Sequence, residues 1–180
     1  MSRLPLVDPS QAQGKTHDLF TAVKSQMGRV PNLMKAMANS PAVLEGYLGF
    51  SKALAHGTLD PKLRERIAIE VAESNGCGYC LAAHNLLGKL AGLDEEERQA
   101  NRRGHSHDPK ANAALKFART LVEKRGGVTE QDVQQVKEAG FDDGEVAEII
   151  AHVALNVLTN YFNVAVETPI DFPVVGPLPA

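Results

Sequence analysis

Apolar positions along this chain recur at helical spacing, and strand-like alternation is hard to find. An extended lead-in with Pro5 and Pro9 gives way to a helix expected over residues 10 to 27, with Leu19, Phe20, Val23 and Met27 on its apolar side. Pro31 opens a short helix ending near Asn39. Ser40-Pro41 then reads as an N-cap with proline at the first helical position, starting a helix that carries Val43, Leu44, Tyr47, Leu48, Phe50 and Leu54 and stops around His56-Gly57. Asp60-Pro61 begins the next, in which Leu63, Ile67 and Val71 form a stripe and Asn75-Gly76 supplies the C-terminal stop. Cys77 therefore falls at the start of a further helix running through Leu81, Leu86, Leu87 and Leu90 to Gly92. Residues 94 to 103 are polar all round and read as a short exposed helix, followed by a loop from Gly104 to Asp108. Asp108-Pro109 repeats the Asp-Pro start signal, and Ala114, Phe117, Ala118, Leu121 and Val122 line the helix that Gly126-Gly127 closes. Thr129 with Asp132 resembles a capping box for a helix to Gly140. Asp142 with Glu145 marks the last start, of a helix from about 144 to 166 that is the most apolar in the chain and is expected at its centre. The tail, with Pro169, Pro173, Pro177 and Pro179, is excluded from helix and is expected to lie across a neighbouring surface. Eight or nine helices and no sheet make the fold class all-α, in one domain over residues 1–180 with an extended lead-in and a proline-rich tail from about 167.

Composition adds exclusions. In 180 residues, 43% hydrophobic and 23% charged, the balance is that of an ordinary globular protein. A formal net charge of -3 lacks the basic face that nucleic acid requires. No uninterrupted apolar run approaches the roughly 20 residues of a membrane span, and Met1-Ser2-Arg3-Leu4-Pro5 carries no long apolar stretch of the signal-peptide kind. Two neighbouring cysteines do not form a secreted disulfide framework, so a cytoplasmic setting and a cycling thiol pair are expected.

The chemistry is concentrated in Asn75-Gly-Cys-Gly-Tyr-Cys-Leu-Ala-Ala-His84. On a helix Cys77, Cys80 and His84 share one face. A helix N-terminus and a CxxC pairing both lower a thiol pKa, so one sulfur can attack an oxidant and the other can close a disulfide. His84 would accept the thiol proton, directly or through water. A zinc site is the competing reading, with His105 and His107 completing a Cys-Cys-His-His set. Against it, zinc prefers four ligands in a closed site, and these histidines stand in a polar loop beside Arg102 and Arg103. Glu65, Glu70 and Glu73 on the preceding helix are candidate relay carboxylates, and spacing does not choose between them.

The pattern Glu65, then Cys77-Gly-Tyr-Cys80, then His84 resembles the alkylhydroperoxidase AhpD family, within the carboxymuconolactone decarboxylase-like superfamily, and is nearer its peroxidase-related branch. A glutamate stands twelve residues before the CxxC pair and a histidine four after it, and the likeness runs from about residue 20 to 166, including Pro31-Asn32-Leu33. The resemblance implies an all-helical thiol peroxidase or disulfide reductase that assembles as trimers or hexamers. Cys80 would attack the hydroperoxide, Cys77 would resolve it and face an external thiol or dithiol reductant, and Glu65 with His84 would relay protons; no cofactor or metal is implied. Because the helix dipole favours thiolate at Cys77, Cys80 would depend on the relay. Well-known members place a second histidine between the cysteines where this chain has Tyr79, a poor base that could donate to a peroxide oxygen or pack. His152 aligns with Glu148 and Asn156 on the last helix, as a buried structural histidine, a pocket residue or an intersubunit contact. Lactone decarboxylation, which needs no thiols, and a redox-sensing or zinc-holding oligomer are the alternative functions. Phe172, Val174 and Val175, with the apolar last helix, predict a homo-oligomer.

Overall fold

The computed structural model describes residues 2–178. Nine helices follow in order: α1 (Gly14–Met27), α2 (Asn32–Met37), α3 (Pro41–Ala55), α4 (Pro61–Ser74), α5 (Gly78–Leu90), α6 (Glu95–Arg102), α7 (Pro109–Glu123), α8 (Glu130–Glu138) and α9 (Asp143–Val166). Among the described residues there is no strand, as expected of an all-α fold. The start signals stand where expected, although Ser40 occupies its N-cap position without a side-chain capping bond. The Asp60 side chain accepts from the Lys62 N–H and Asp108 from the Ala111 N–H, while Thr129 with Asp132 and Asp142 with Glu145 form reciprocal capping boxes. Helix α1 begins at Gly14, later than expected, because Asp8 accepts from the Ser10 N–H at 2.8 Å and the Gln11 N–H bonds the Asp8 carbonyl at 3.1 Å, turning the chain first.

The centre is α4 rather than α9. Ile67 through Ala72 are all buried, and α4 packs against α5, α6, α7 and α9. One apolar cluster joins its Ile69 and Ala72 to Phe20, Leu33, Met37, Leu44 and the cysteines. A second joins its Leu63, Ile67 and Val71 to Leu115, Phe117, Val136, Ile149 and Val153. Helix α9 contacts five others but buries a polar seam of His152, Asn156, Thr159, Asn160 and Asn163, while Ile150, Leu158, Tyr161 and Val164 face outward. By length and composition it could cross a membrane, which uninterrupted apolar runs did not indicate, because its Asn and Thr interruptions carry no charge.

Helix α6 also departs from expectation. It is polar yet half buried, with Glu97, Arg98, Asn101 and Arg102 all enclosed. Its partners are ionic: Arg66 bonds Glu97 at 2.8 Å, and Arg102 bonds Glu73 at 2.7 Å. Glu97 also accepts from Ser106 Oγ at 2.6 Å, Asn101 Nδ2 at 3.0 Å and the His107 N–H at 3.1 Å, tying the 104–108 loop to the helix. The tail continues from α9 as extended chain, with Pro169, Pro173 and Pro177 outside helix; Pro179 lies outside the described residues.

Burial alone would raise the Glu97 carboxyl, but the bonds from Ser106, Asn101 and His107 and the Arg66 charge outweigh it and hold the pKa at about 2, below its ordinary 4.5. Its stabilisation is therefore complete above pH 4.5 and is lost as pH falls towards 2. Glu97→Gln should lower stability at neutral pH by roughly 3 kcal/mol and flatten that acid loss, read by urea denaturation across the acidic range.

Candidate active site

The site begins at the corner between α4 and α5. Gly76 adopts a left-handed φ of 63°, its N–H bonds the Glu73 carbonyl at 3.0 Å, and the Cys77 N–H bonds the Ala72 carbonyl at 2.9 Å. This paired termination ends α4 and delivers Cys77 directly to the N-cap of α5, where its sulfur accepts from the Cys80 N–H at 3.2 Å. Cys77 and Cys80 are joined as a disulfide with their Cα atoms 5.4 Å apart.

Helix α4 offers three glutamates, and their partners distinguish them. Glu70 bonds Arg119 and Ser74, Glu73 bonds Arg102, and Glu65 alone reaches His84, at 2.8 Å. An ionised carboxylate only accepts, so His84 Nδ1 carries the hydrogen and Nε2 is the basic nitrogen of the neutral ring. The sulfur of Cys80 accepts from Asn163 Nδ2 at 3.2 Å, a contact contributed by α9. Glu65, Cys80, His84 and Asn163 all line one cavity of about 370 Å³, whose other walls are largely apolar, including Met27, Leu33, Leu87, Leu155 and Phe172.

Cys77 does not line that cavity, and both cysteines are enclosed, Cys77 at 2% and Cys80 at 3% exposure. Cys77 belongs to the apolar cluster that also holds Ile69, Ala72, Tyr79 and Cys80.

Tyr79 also lines the cavity, as expected of a pocket residue, but its hydroxyl is committed to other partners. Its hydroxyl donates to Asp171 at 2.8 Å and accepts from the Leu33 N–H at 3.1 Å, while its ring meets Phe172 edge-on at 5.5 Å. Burial pushes the phenol well above its ordinary pKa. Asp171 also accepts from Arg29 and the Asn32 N–H, so the tail is clamped over the CxxC turn through this phenol.

His152 is both buried and a cavity residue, at 6% exposure, and its Nε2 has no partner within the described chain. Burial first, then the nearby Arg64 charge, lowers its pKa, against the opposing pull of Glu148 and Glu65. His105 and His107 stay in their loop, edge-on to each other, and no cluster of three or more His, Cys, Asp or Glu that could hold a metal occurs among the described residues. The sequence reading missed Asn163, Arg64 and Tyr47 as cavity residues and Asp171 as the tail's anchor. The repeat of Asn156, Asn160 and Asn163 on an otherwise apolar helix was the available signal for the first.

Residues 41–120 match the carboxymuconolactone decarboxylase family. No curated protein sequence matches. Among solved structures, a peroxidase-related protein with an alkylhydroperoxidase AhpD core from Ralstonia eutropha aligns with a TM-score of 0.86 at 23% identity, over 94% of this chain and 92% of its own. A peroxidase-related protein from a Silicibacter species gives 0.81 at 24%, over 93% and 91%. A debrominase in complex with 2,3,4-tribromopyrrole gives 0.77 at 20%, over 95% and 94%. At these identities the likeness is one of fold.

Removing the Asn163 donor should make the reduced Cys80 thiol harder to ionise. Asn163→Ala is expected to raise its proton affinity on the order of tenfold, seen as an upward move of the thiolate absorbance titration.

Proposed function

We propose that this AhpD-like protein of the carboxymuconolactone decarboxylase superfamily is a thiol-dependent peroxidase acting on organic hydroperoxides. The observation that carries the reading is a cystine with one sulfur on the wall of an apolar cavity that also holds a hydrogen-bonded Glu65–His84 pair. In the proposed cycle the Cys80 thiol loses its proton to His84, whose ring Glu65 orients and whose positive charge it balances. The thiolate attacks the outer peroxide oxygen, the O–O bond breaks, and the alkoxide takes the proton back from the relay and leaves as an alcohol. Cys80, now a sulfenic acid, is attacked by Cys77, which releases water and forms the disulfide. Two external thiols return the pair to the dithiol without a cofactor, and a cytoplasmic setting suits such a cycle.

Cys80→Ser should abolish hydroperoxide consumption with dithiothreitol as reductant, and Cys77→Ser should lose the disulfide step and much of its turnover. Glu65→Gln should lower kcat/KM by roughly 10²-fold. Full turnover in both cysteine variants would exclude the mechanism. Lactone decarboxylation would survive both changes. A debrominase of similar fold, solved in complex with 2,3,4-tribromopyrrole, suggests a halogenated aromatic as a second substrate class, and bromide release from a bromopyrrole would favour that chemistry over peroxide reduction.

Self-association belongs to the same proposal. The outward face of α9 presents Ala147, Ile150, Ala154, Leu158 and Tyr161, all exposed and none charged, with Tyr161 at 61%. A second copy covering this face would reverse its inverted polarity. Sedimentation should give a trimer or hexamer mass, and Leu158→Glu with Tyr161→Glu should shift it to monomer.

A further inference from the structure

The two sulfurs of the cystine stand in different surroundings. Cys80 borders the cavity, whereas Cys77 does not, although both side chains are buried, at 3% and 2% exposure. The tail meets the CxxC turn at Gly78 and Tyr79, while the Gly76 and Gly78 positions on either side of Cys77 stay exposed. A Cβ placed on Gly78 would lie 3.7 Å from Ile170 Cδ1, Tyr79 is held to Asp171, and Phe172 packs on the Tyr79 ring. Thiol–disulfide exchange needs direct access of the attacking sulfur to one disulfide sulfur. Both cysteines are buried, and the cavity that Cys80 borders and Cys77 does not offers that access.

We infer that the reductant uses the same cavity as the hydroperoxide and attacks Cys80, so that it is a low-molecular-weight thiol and not a folded protein thiol. This rests on the peroxidase reading for its biological setting, though the exchange step does not require peroxide. The incoming thiolate forms a bond to the Cys80 sulfur, and the Cys77–Cys80 bond breaks with its electron pair going to Cys77. That leaving group is well placed. Cys77 is the N-cap of α5, and the Cys80 N–H already donates to its sulfur at 3.2 Å, which favours the departing thiolate. A second thiol attacks the reductant's sulfur in the mixed disulfide and releases Cys80 as thiolate. The two thiols become a small disulfide, and their protons end on Cys77 and Cys80.

Attack at Cys77 would release Cys80, whose sulfur also has a donor in Asn163 at 3.2 Å. Leaving-group quality therefore does not select the route; access does. One consequence is kinetic: hydroperoxide and thiol occupy one cavity, so each at high concentration inhibits competitively against the other. A further wall residue, Leu155, makes no hydrogen bond to the cysteines and offers a way to narrow the shared route.

The direct test uses the oxidised wild-type protein without peroxide. It is mixed with β-mercaptoethanol, quenched with N-ethylmaleimide and mapped by fragmentation of the peptide that holds both cysteines. Mercaptoethanol on Cys80 with maleimide on Cys77 is expected; the reverse pattern, or equal labelling of both, overturns the inference. Reduced thioredoxin at matched thiolate concentration should react on the order of 100-fold more slowly than mercaptoethanol, and a comparable rate overturns it as well. Leu155→Trp should slow the thiol and hydroperoxide half-reactions together, and slowing of only one separates their routes. An adduct on Cys80 in a protein that consumes no hydroperoxide refutes the peroxidase reading alone. Turnover with the adduct on Cys77 refutes the shared route alone.

Discussion

The turn of chain at Asn75-Gly76-Cys77 is the constraint on which the site depends. A left-handed residue there allows the Cys77 N–H to close the last turn of α4 and the same residue to cap α5, with no intervening loop. Any longer connection would let the two helices slide. Their direct packing is what holds Glu65 of one within 2.8 Å of His84 of the other. The cystine sits at the vertex, both cysteines buried in the core and Cys80 bordering the cavity.

Around that vertex the fold buries more polarity than its composition suggests. Helix α4 is enclosed from Ile67 to Ala72, so the buried Glu70 must be met by Arg119 from elsewhere in the chain, and the half-buried Glu73 meets the buried Arg102. Helix α9 turns Asn156, Asn160 and Asn163 inward and its large apolar residues outward. Two of its inward atoms, His152 Nε2 and Asn163 Oδ1, find no partner within the described chain, and both residues line the cavity. An apolar cavity with a few polar groups at one end suits an organic ligand with one reactive polar function.

The tail is part of this arrangement. Asp171 receives Arg29, the Asn32 N–H and the Tyr79 hydroxyl, joining the start of α2 and the CxxC turn to one carboxylate. Arg29 also lies 4.5 Å from the centre of the Phe172 ring, and Phe172 forms part of the cavity wall. The segment that holds Tyr79 thus also forms part of the cavity wall.

The local chemistry of the chain determined the helices. Asp60, Asp108, Thr129 and Asp142 cap where they stand, prolines start helices, and Gly76 stops one, because each acts on backbone groups within a few residues. The grouping of Cys77, Cys80 and His84 was legible for the same reason, and Glu65 could be chosen from three glutamates only by resemblance until its contact with His84 was seen. Tertiary structure alone decided the rest. Helix α6 reads as exposed because its neutralising partners, Arg66 and Glu73, lie on another helix. Tyr79 reads as a possible donor to substrate because Asp171 is 92 residues away, and Asn163 is 83 residues from the sulfur it meets. Periodicity reports which side of a helix is apolar, whereas burial depends on what packs against it. For α9 the two disagree, and the polar side faces the chemistry.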